Sequence, residues 1–251
     1  MKKFITALIA ASGNAFALFG VDVSVGGYMQ EPSGNLKYKG GAIDIDKDLN
    51  LDREIRPYAR LKLEPPVPLI PKLYAQYTPT KFEGKKTLTK NITYGNRTFT
   101  QGTPIDSSVE LNRYDLAVFY NVPLVGLATL GTIDPEFGLN MRLVQFDGKI
   151  TNRNNPTVSE SKSFSVPIPM VYASLGISPP GIPLEVRAEA RAMPVKKLRY
   201  YDFSGEVRIK PLVPFYISLG YRQETFNLED IKDVYTDFTI KGPFLMIGAR
   251  F

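Results

Sequence analysis

The feature that most constrains the fold is an alternation of apolar with polar or small residues that recurs along the chain. In the final stretch, residues 243–251, Leu245, Ile247 and Phe251 fall on one face and Arg250 falls on the other. A repeat of two residues places successive side chains on opposite faces of a β-strand. The chain is therefore expected to form sheets with one apolar and one polar face.

Ten segments of this kind are predicted as strands. They lie at residues 18–30, 56–64, 72–83, 110–120, 137–150, 164–177, 184–192, 199–210, 215–224 and 235–251. The segment 184–192 alternates Glu and Arg with apolar residues; a helix would spread these charges around its axis, so the alternation favours a strand. Pro167 and Pro169 cannot donate backbone hydrogen bonds, and they predict a bulge or a shift of register in the sixth strand.

The connections between these strands fall into two groups. Those after even-numbered strands are short and combine proline with apolar residues, at 65–71, 121–126, 179–183 and 210–214. Those after odd-numbered strands include long polar segments. This segregation is typical of outer-membrane barrels. The prediction is an all-β fold, a transmembrane antiparallel up-and-down β-barrel of about ten strands. Eight or twelve strands are alternatives, because 36–43 and 92–100 could form further hairpins, and a soluble periplasmic lipocalin-like barrel is the competing architecture.

The two ends of the chain predict export. Lys2 and Lys3 precede an apolar run at 4–11, and residues 15–17 read Ala-Phe-Ala. Residues 1–17 are therefore predicted to be a secretory signal peptide for the Sec pathway, followed by a single barrel domain, 18–251. The terminal Phe251 resembles the assembly signal read by the barrel-assembly machinery, although Ala249 stands where that pattern usually has an aromatic residue. The expected location is the outer membrane. The expected partners are its lipids and, during biogenesis, that machinery, with no nucleic acid and a monomeric state.

The composition excludes several kinds of site. The chain has no Cys and no His, which removes disulfides, thiolate metal sites and every Ser-His or Asp-His catalytic pair. Trp is also absent, so an aromatic girdle would have to use the 14 Tyr and 15 Phe. No cofactor and no enzymatic activity are expected. The alternative is a lipid-modifying enzyme that works without histidine, through a Ser-Lys or a carboxylate mechanism.

Charged residues on the polar faces of the last four strands are predicted to point into the barrel. They are Glu185, Arg187, Glu189, Arg191, Asp202, Glu206, Arg208, Arg222, Glu224 and Arg250. Such charges could line a selective pore or a site. In a barrel of eight to ten strands, side chains largely fill the interior, which favours a lumen filled with paired charges. The expected role is structural or at the cell surface, with narrow passage of small solutes as a variant.

An acidic segment at 44–52 places Asp44, Asp46, Asp48, Asn50 and Asp52 at every second position. Clustered carboxylates suit calcium, but the glycine turn and bidentate Glu of an EF-hand are missing. An extended segment would also spread the acids along one face. A solvated loop or an extended hairpin tip is therefore the favoured interpretation, with cation binding as the alternative.

The chain resembles a family of small outer-membrane β-barrel proteins marked by a Gly-Gly pair in the first strand. The residues that carry the resemblance are Val-Gly-Gly-Tyr at 25–28, Pro-Ser-Gly at 32–34, the acidic segment with its end at 48–52, and the hairpin at 63–71. The resemblance spans the mature chain loosely, and its specific motifs lie in the first third. It implies an outer-membrane location and no established activity, so it assigns no functional residues. Pro65 stands where the family commonly has histidine, which argues against a role that needs one.

Overall fold

A computed structural model describes residues 20–67, 70–195, 198–231 and 234–251. The predicted signal peptide, 1–17, lies outside these residues. The described chain is almost entirely β. Its strands are β1 (Gly20–Tyr38), β2 (Ile43–Asp44), β3 (Glu54–Glu64), β4 (Lys72–Thr78), β5 (Lys81–Thr87), β6 (Ile92–Tyr94), β7 (Arg97–Phe99), β8 (Pro104–Asn121), β9 (Ile133–Asn152), β10 (Ser159–Ile177), β11 (Leu184–Val195), β12 (Leu198–Leu212), β13 (Phe215–Ile231) and β14 (Val234–Arg250).

The one described helix, α1 (Pro123–Ala128), lies in the connection between β8 and β9. Within the described ranges, no helix is long and apolar enough to cross a membrane.

The long strands close into a ten-stranded antiparallel barrel, which confirms the predicted fold class. β4 and β5 follow one another along β8 and together form one wall strand. Closure occurs between β1 and β14, from the pair Asp22 and Arg250 to the pair Tyr38 and Val234. The region 92–100 adds no wall strand, because β6 and β7 pair only with each other. We call the end with the short connections the turn end and the opposite end the loop end.

The side chains of the wall alternate between an apolar exterior and a charged interior. On β9, Leu139 is 70% exposed on the outer face, whereas Arg142 on the inner face is fully buried. Large apolar side chains are exposed in the same way on the outer face of the other wall strands, among them Leu116, Val171, Phe203, Ile217 and Ile247. A soluble barrel has the opposite arrangement. An apolar band of this kind requires a lipid environment, and it is the arrangement of transmembrane β-barrels.

Two seams in the wall are short. β9 and β10 pair from Ser159 to Ile177 without a shift of register, so the predicted irregularity at Pro167 and Pro169 is wrong. β10 pairs with β11 only at Val171–Ile177, seven residue pairs, and the two prolines lie beyond the last of them. They are tolerated because β10 is an edge strand at that level. The seam between β3 and β4 has five pairs, and every other wall seam has at least eleven.

The Gly-Gly pair in β1 combines two different environments. A Cβ atom at Gly26 would lie 1.9 Å from the Leu245 carbonyl oxygen, whereas a Cβ at Gly27 would meet only Ile55 Cγ2, at 3.3 Å. Gly26 therefore allows β14 to approach β1 closely at the closure, and Gly27 does not have this role.

This contrast predicts unequal effects of alanine. Gly26→Ala is expected to lower the free energy of unfolding by about 1–3 kcal/mol, because the backbone of β14 must move away. Gly27→Ala is expected to change it by less than about 0.5 kcal/mol, since the exposed Ile55 side chain can turn aside. Urea unfolding in lipid vesicles measures both. Equal effects of the two substitutions would contradict the assignment of Gly26 to closure.

The charged lumen as candidate functional site

Inward-facing positions of the wall carry as many basic as acidic residues. The buried basic residues are Arg60, Lys62, Arg113, Arg142, Arg187, Arg191, Arg208 and Arg222. The buried acidic residues of the wall strands are Asp22, Asp115, Glu136, Glu185, Glu189, Asp202, Glu206 and Glu224. Eight positive and eight negative charges cancel, and each has an oppositely charged partner within 4.0 Å. A buried charge requires such pairing, because solvation by water is lost.

Asp202 on β12 is the centre of the network. Its carboxylate contacts Arg222 Nη2 at 2.7 Å and Arg191 Nη1 at 3.6 Å, and it also accepts a hydrogen bond from Arg142. Arg222 binds it through a second nitrogen, with Nε 2.9 Å from Oδ1, so this pair is bidentate. Because Arg142 is on β9, the Asp202 side chain links two strands that lie three positions apart around the wall.

Glu224 on β13 extends this cluster toward β8 and β9. Its carboxylate oxygens lie 3.3 Å from nitrogens of Arg113, Arg142 and Arg222. Arg142 also donates to Asp115, with Nε 2.7 Å from Oδ1. The guanidinium of Arg142 stacks over the Tyr200 ring at 4.7 Å, a cation–π contact that fills the remaining space beside it. None of these side chains is accessible to a water molecule beyond a few per cent of its surface.

A second charged layer lies nearer the turn end. Lys62 Nζ is 2.7 Å from Glu136 Oε1, and Arg60 Nη2 is 2.6 Å from Glu206 Oε2. Arg187 Nη1 shares Glu136 at 3.3 Å. The lumen is thus crossed by ion pairs at two successive levels.

The loop end of the lumen is apolar instead of charged. Two connections fold inward there, and their side chains pack against the wall, among them Ile45, Leu49, Leu88, Ile92, Tyr94 and Phe99. The Tyr94 hydroxyl donates to the Gly148 carbonyl of β9 at 3.2 Å, and burial raises the pKa of this hydroxyl. A cavity within this cluster, between Ile45, Val109 and Phe238, has a volume of about 20 Å³, roughly the space of one water molecule.

The acidic segment 44–52 was expected to be a solvated loop or an extended hairpin tip; it is not extended, and Asp48 within it is buried. Asp44 and Asp48 stabilise a compact turn: Asp44 Oδ1 accepts from the Lys47 amide at 2.8 Å, and Asp48 Oδ2 accepts from the Asp44 amide at 2.9 Å. Lys90 Nζ lies 2.7 Å from Asp48 Oδ2. In the part of the chain that the structure describes, no three acidic side chains are grouped so that they could hold a metal ion.

The structure places the predicted lumen residues at two different depths. Glu185, Arg187, Glu189, Arg191, Asp202, Glu206, Arg208, Arg222 and Glu224 are buried inside the barrel. Arg250 differs: its side chain is 42% exposed at the rim of the turn end, where Nη2 lies 3.0 Å from Glu64 Oε1. Arg250 has the inward parity of its strand, but it lies too close to the strand end to enter the lumen.

Several lumen residues were missed by the sequence reasoning. Arg113 and Asp115 alternate with the outward Tyr114 and Leu116, and Glu136 immediately precedes the outward Phe137. The signal that could have found them is the same repeat of two residues. Seven of the sixteen buried charges lie on strands before the last four, and the prediction of paired lumen charges did not include them.

This arrangement can hold the wall in shape and exclude water. Each carboxylate is bound to a cation, so none of the eight is free to act as a base without leaving a buried charge unpaired. The apolar loop end and the ion-paired layers together fill most of the interior, as expected for a barrel of this size, and a cavity of about 150 Å³ beside Asp22, Glu185 and Arg208 remains at the turn end.

Comparison with known proteins supports the fold. No protein-family model matches the chain, and no curated protein does. Among solved structures, it is similar to the outer membrane protease OmpT from Escherichia coli, with 8% identity and a TM-score of 0.54 over 93% of this chain and 96% of that chain. It is also similar to the translocator domain of the autotransporter NalP from Neisseria meningitidis, with 13% identity and a TM-score of 0.46 over 99% of this chain and 98% of that chain. Ail of Yersinia pestis is similar with 11% identity and a TM-score of 0.43 over 93% of this chain and 99% of that chain. At these identities, the similarity to OmpT establishes an outer-membrane-type β-barrel and nothing about activity.

Proposed function

We propose that this protein is an integral outer-membrane barrel with a closed lumen, which acts as a structural or surface protein and not as an enzyme. One observation carries the proposal: the central charges Arg142, Asp202 and Arg222 are fully buried and paired with one another. A water-filled channel would leave charges at this level accessible to solvent. A hydrolytic site would need a nucleophile or base that substrate can reach.

The proposed orientation follows the convention of bacterial barrels, with short turns in the periplasm and long loops outside the cell. The loop end, with its inward-folded connections and β6–β7 hairpin, is then the surface that other cells and molecules meet. Export through the Sec pathway and recognition of Phe251 by the barrel-assembly machinery complete the proposal.

Conductance in planar lipid bilayers tests the closed lumen. The purified barrel is expected to give no discrete conductance steps, because two ion-paired layers and an apolar loop end block the axis. The appearance of steps whose size changes on neutralising Arg187 or Arg191 would instead establish a narrow solute channel. A barrel of known conductance, inserted in the same bilayers, controls for the recording.

A further inference from the structure

The outer wall carries an apolar groove at the place where the barrel closes. It is an open groove with a volume of about 720 Å³. The groove lies between β1 and β14 and reaches β3 and β13. Its lining includes Gly27, Met29, Ile55, Leu219, Pro243 and Leu245.

The groove results from the local sequence of the closing strands. Gly27 faces outward but has no side chain, and its cross-strand partner is Leu245. Directly above, the pairing of β1 with β14 is interrupted between Tyr28 and Glu31. Gly242, with φ of +155°, brings the backbone of β14 so close to Met29 that a Cβ would lie 2.0 Å from the Met29 carbonyl oxygen. The groove therefore forms where Gly27 leaves space on the outer face, directly below the close approach of the β1 and β14 backbones at Met29 and Gly242.

A row of charged and polar residues borders the groove on the side of the loop end. Lys241 has the outward parity of Pro243 and Leu245, and its cross-strand partners are Glu31 and Gln223. Arg53, which is exposed, immediately precedes β3 at the same end of the groove. With two cations and one anion, the row has a net charge of +1. Below it, Tyr221 is paired with Pro243 and forms the aromatic border of the apolar band.

We propose that this groove binds one acyl chain of an outer-leaflet membrane lipid whose anionic headgroup meets Lys241 and Arg53. The apolar floor lies within the lipid-facing band, and the positive row lies at its polar border. A lipid presents the same order, hydrocarbon below and phosphate above. A positive residue near a membrane surface favours anionic lipid by about 1 kcal/mol, which corresponds to roughly fivefold in affinity.

The absence of tryptophan from the chain makes a direct test possible. Leu219→Trp places a single reporter on the rim of the groove, and Leu139→Trp places a matched reporter at an outward apolar position on β9. Each variant is reconstituted in phosphatidylcholine vesicles with increasing amounts of phosphatidylglycerol that carries brominated acyl chains, which quench tryptophan. At position 219, brominated phosphatidylglycerol is expected to quench with about fivefold preference over brominated phosphatidylcholine. At position 139, the two brominated lipids are expected to quench almost equally.

Two further substitutions separate the headgroup from the acyl chain. Lys241→Gln is expected to abolish most of the preference at position 219 and to leave quenching by phosphatidylcholine unchanged. Gly27→Leu fills the groove, and it is expected to reduce quenching at position 219 by both lipids. Gly205→Leu is the matched control, because Gly205 is an outward glycine, like Gly27, but is exposed, has open space around it and lies outside the groove.

Two results would overturn the proposal. Equal lipid preference at positions 219 and 139 would mean that the groove holds only bulk lipid. Quenching at position 219 that falls as the ratio of protein to lipid rises, together with cross-linked dimers, would mean that a second copy of the chain covers the groove. The conductance of the lumen is independent of either result.

Discussion

Replacement of Asp202 by alanine is expected to lower the free energy of unfolding by about 3–5 kcal/mol, the cost of removing one partner from a buried ion pair. Asp202 contacts Arg142, Arg191 and Arg222, which are all buried. Without the carboxylate, three guanidinium groups face one another in a space that water does not reach. Like charges at this distance repel strongly in a medium of low dielectric constant.

Urea unfolding in detergent micelles, followed by the gel mobility of unboiled samples, measures this loss. Arg199→Ala is the matched control, because Arg199 belongs to an ion pair with Glu229 in which both side chains are about half exposed. Its loss is expected to cost no more than about 1 kcal/mol. Similar effects of the two substitutions would show that the lumen network contributes no more to stability than a surface pair.

Replacement of Leu139 by arginine is expected to destabilise the barrel in lipid vesicles by about 2–4 kcal/mol, as for a charge near the bilayer midplane. Leu139 is the most exposed side chain of the apolar stretch on the outer face of β9. The guanidinium group would have to enter hydrocarbon or thin the bilayer locally. The effect depends on the presence of lipid around this part of the wall.

Gln145→Arg on the same strand and the same outward face provides the comparison. Gln145 is exposed six residues nearer the loop end, about 20 Å along the strand. Arginine at this position is expected to change stability by less than about 1 kcal/mol, because it lies above the hydrocarbon. Equal costs at 139 and 145 would contradict the position of the membrane on the barrel wall.

The alternation of residues predicted the wall of this barrel well, because one face of every strand meets lipid and the other meets the lumen. It correctly identified 184–192 as a strand despite its helix-forming residues. It could not place strand ends: β1 continues through Pro32 and Gly34 to Tyr38, where a loop was expected. A strand keeps the same repeat of two residues where it extends beyond the membrane, so the repeat does not show where the strand ends. For the same reason the depth of Arg250 could not be read from its parity.

The lumen network was predictable in composition but not in pairing. Inward parity identifies Arg142 and Asp202 separately as lumen residues. Their contact joins β9 to β12, and it depends on how far the strands tilt and stagger around the barrel. The inward folding of 43–51 was accessible in principle, because Ile45, Leu49 and Leu51 form an apolar face opposite the acids. The alternating acids of this segment instead favoured a solvated loop or an extended tip.

The two short seams have a mechanical consequence. They divide the wall into two half-shells, one running from β4 and β5 through β8 and β9 to β10, the other from β11 through β14 and β1 to β3. Few backbone hydrogen bonds join these halves. The ion pairs Lys62–Glu136, Arg142–Asp202 and Arg113–Glu224 each have one member in either half. These ion pairs therefore connect the two half-shells through the lumen, and they stabilise the barrel where the two short seams supply few backbone hydrogen bonds.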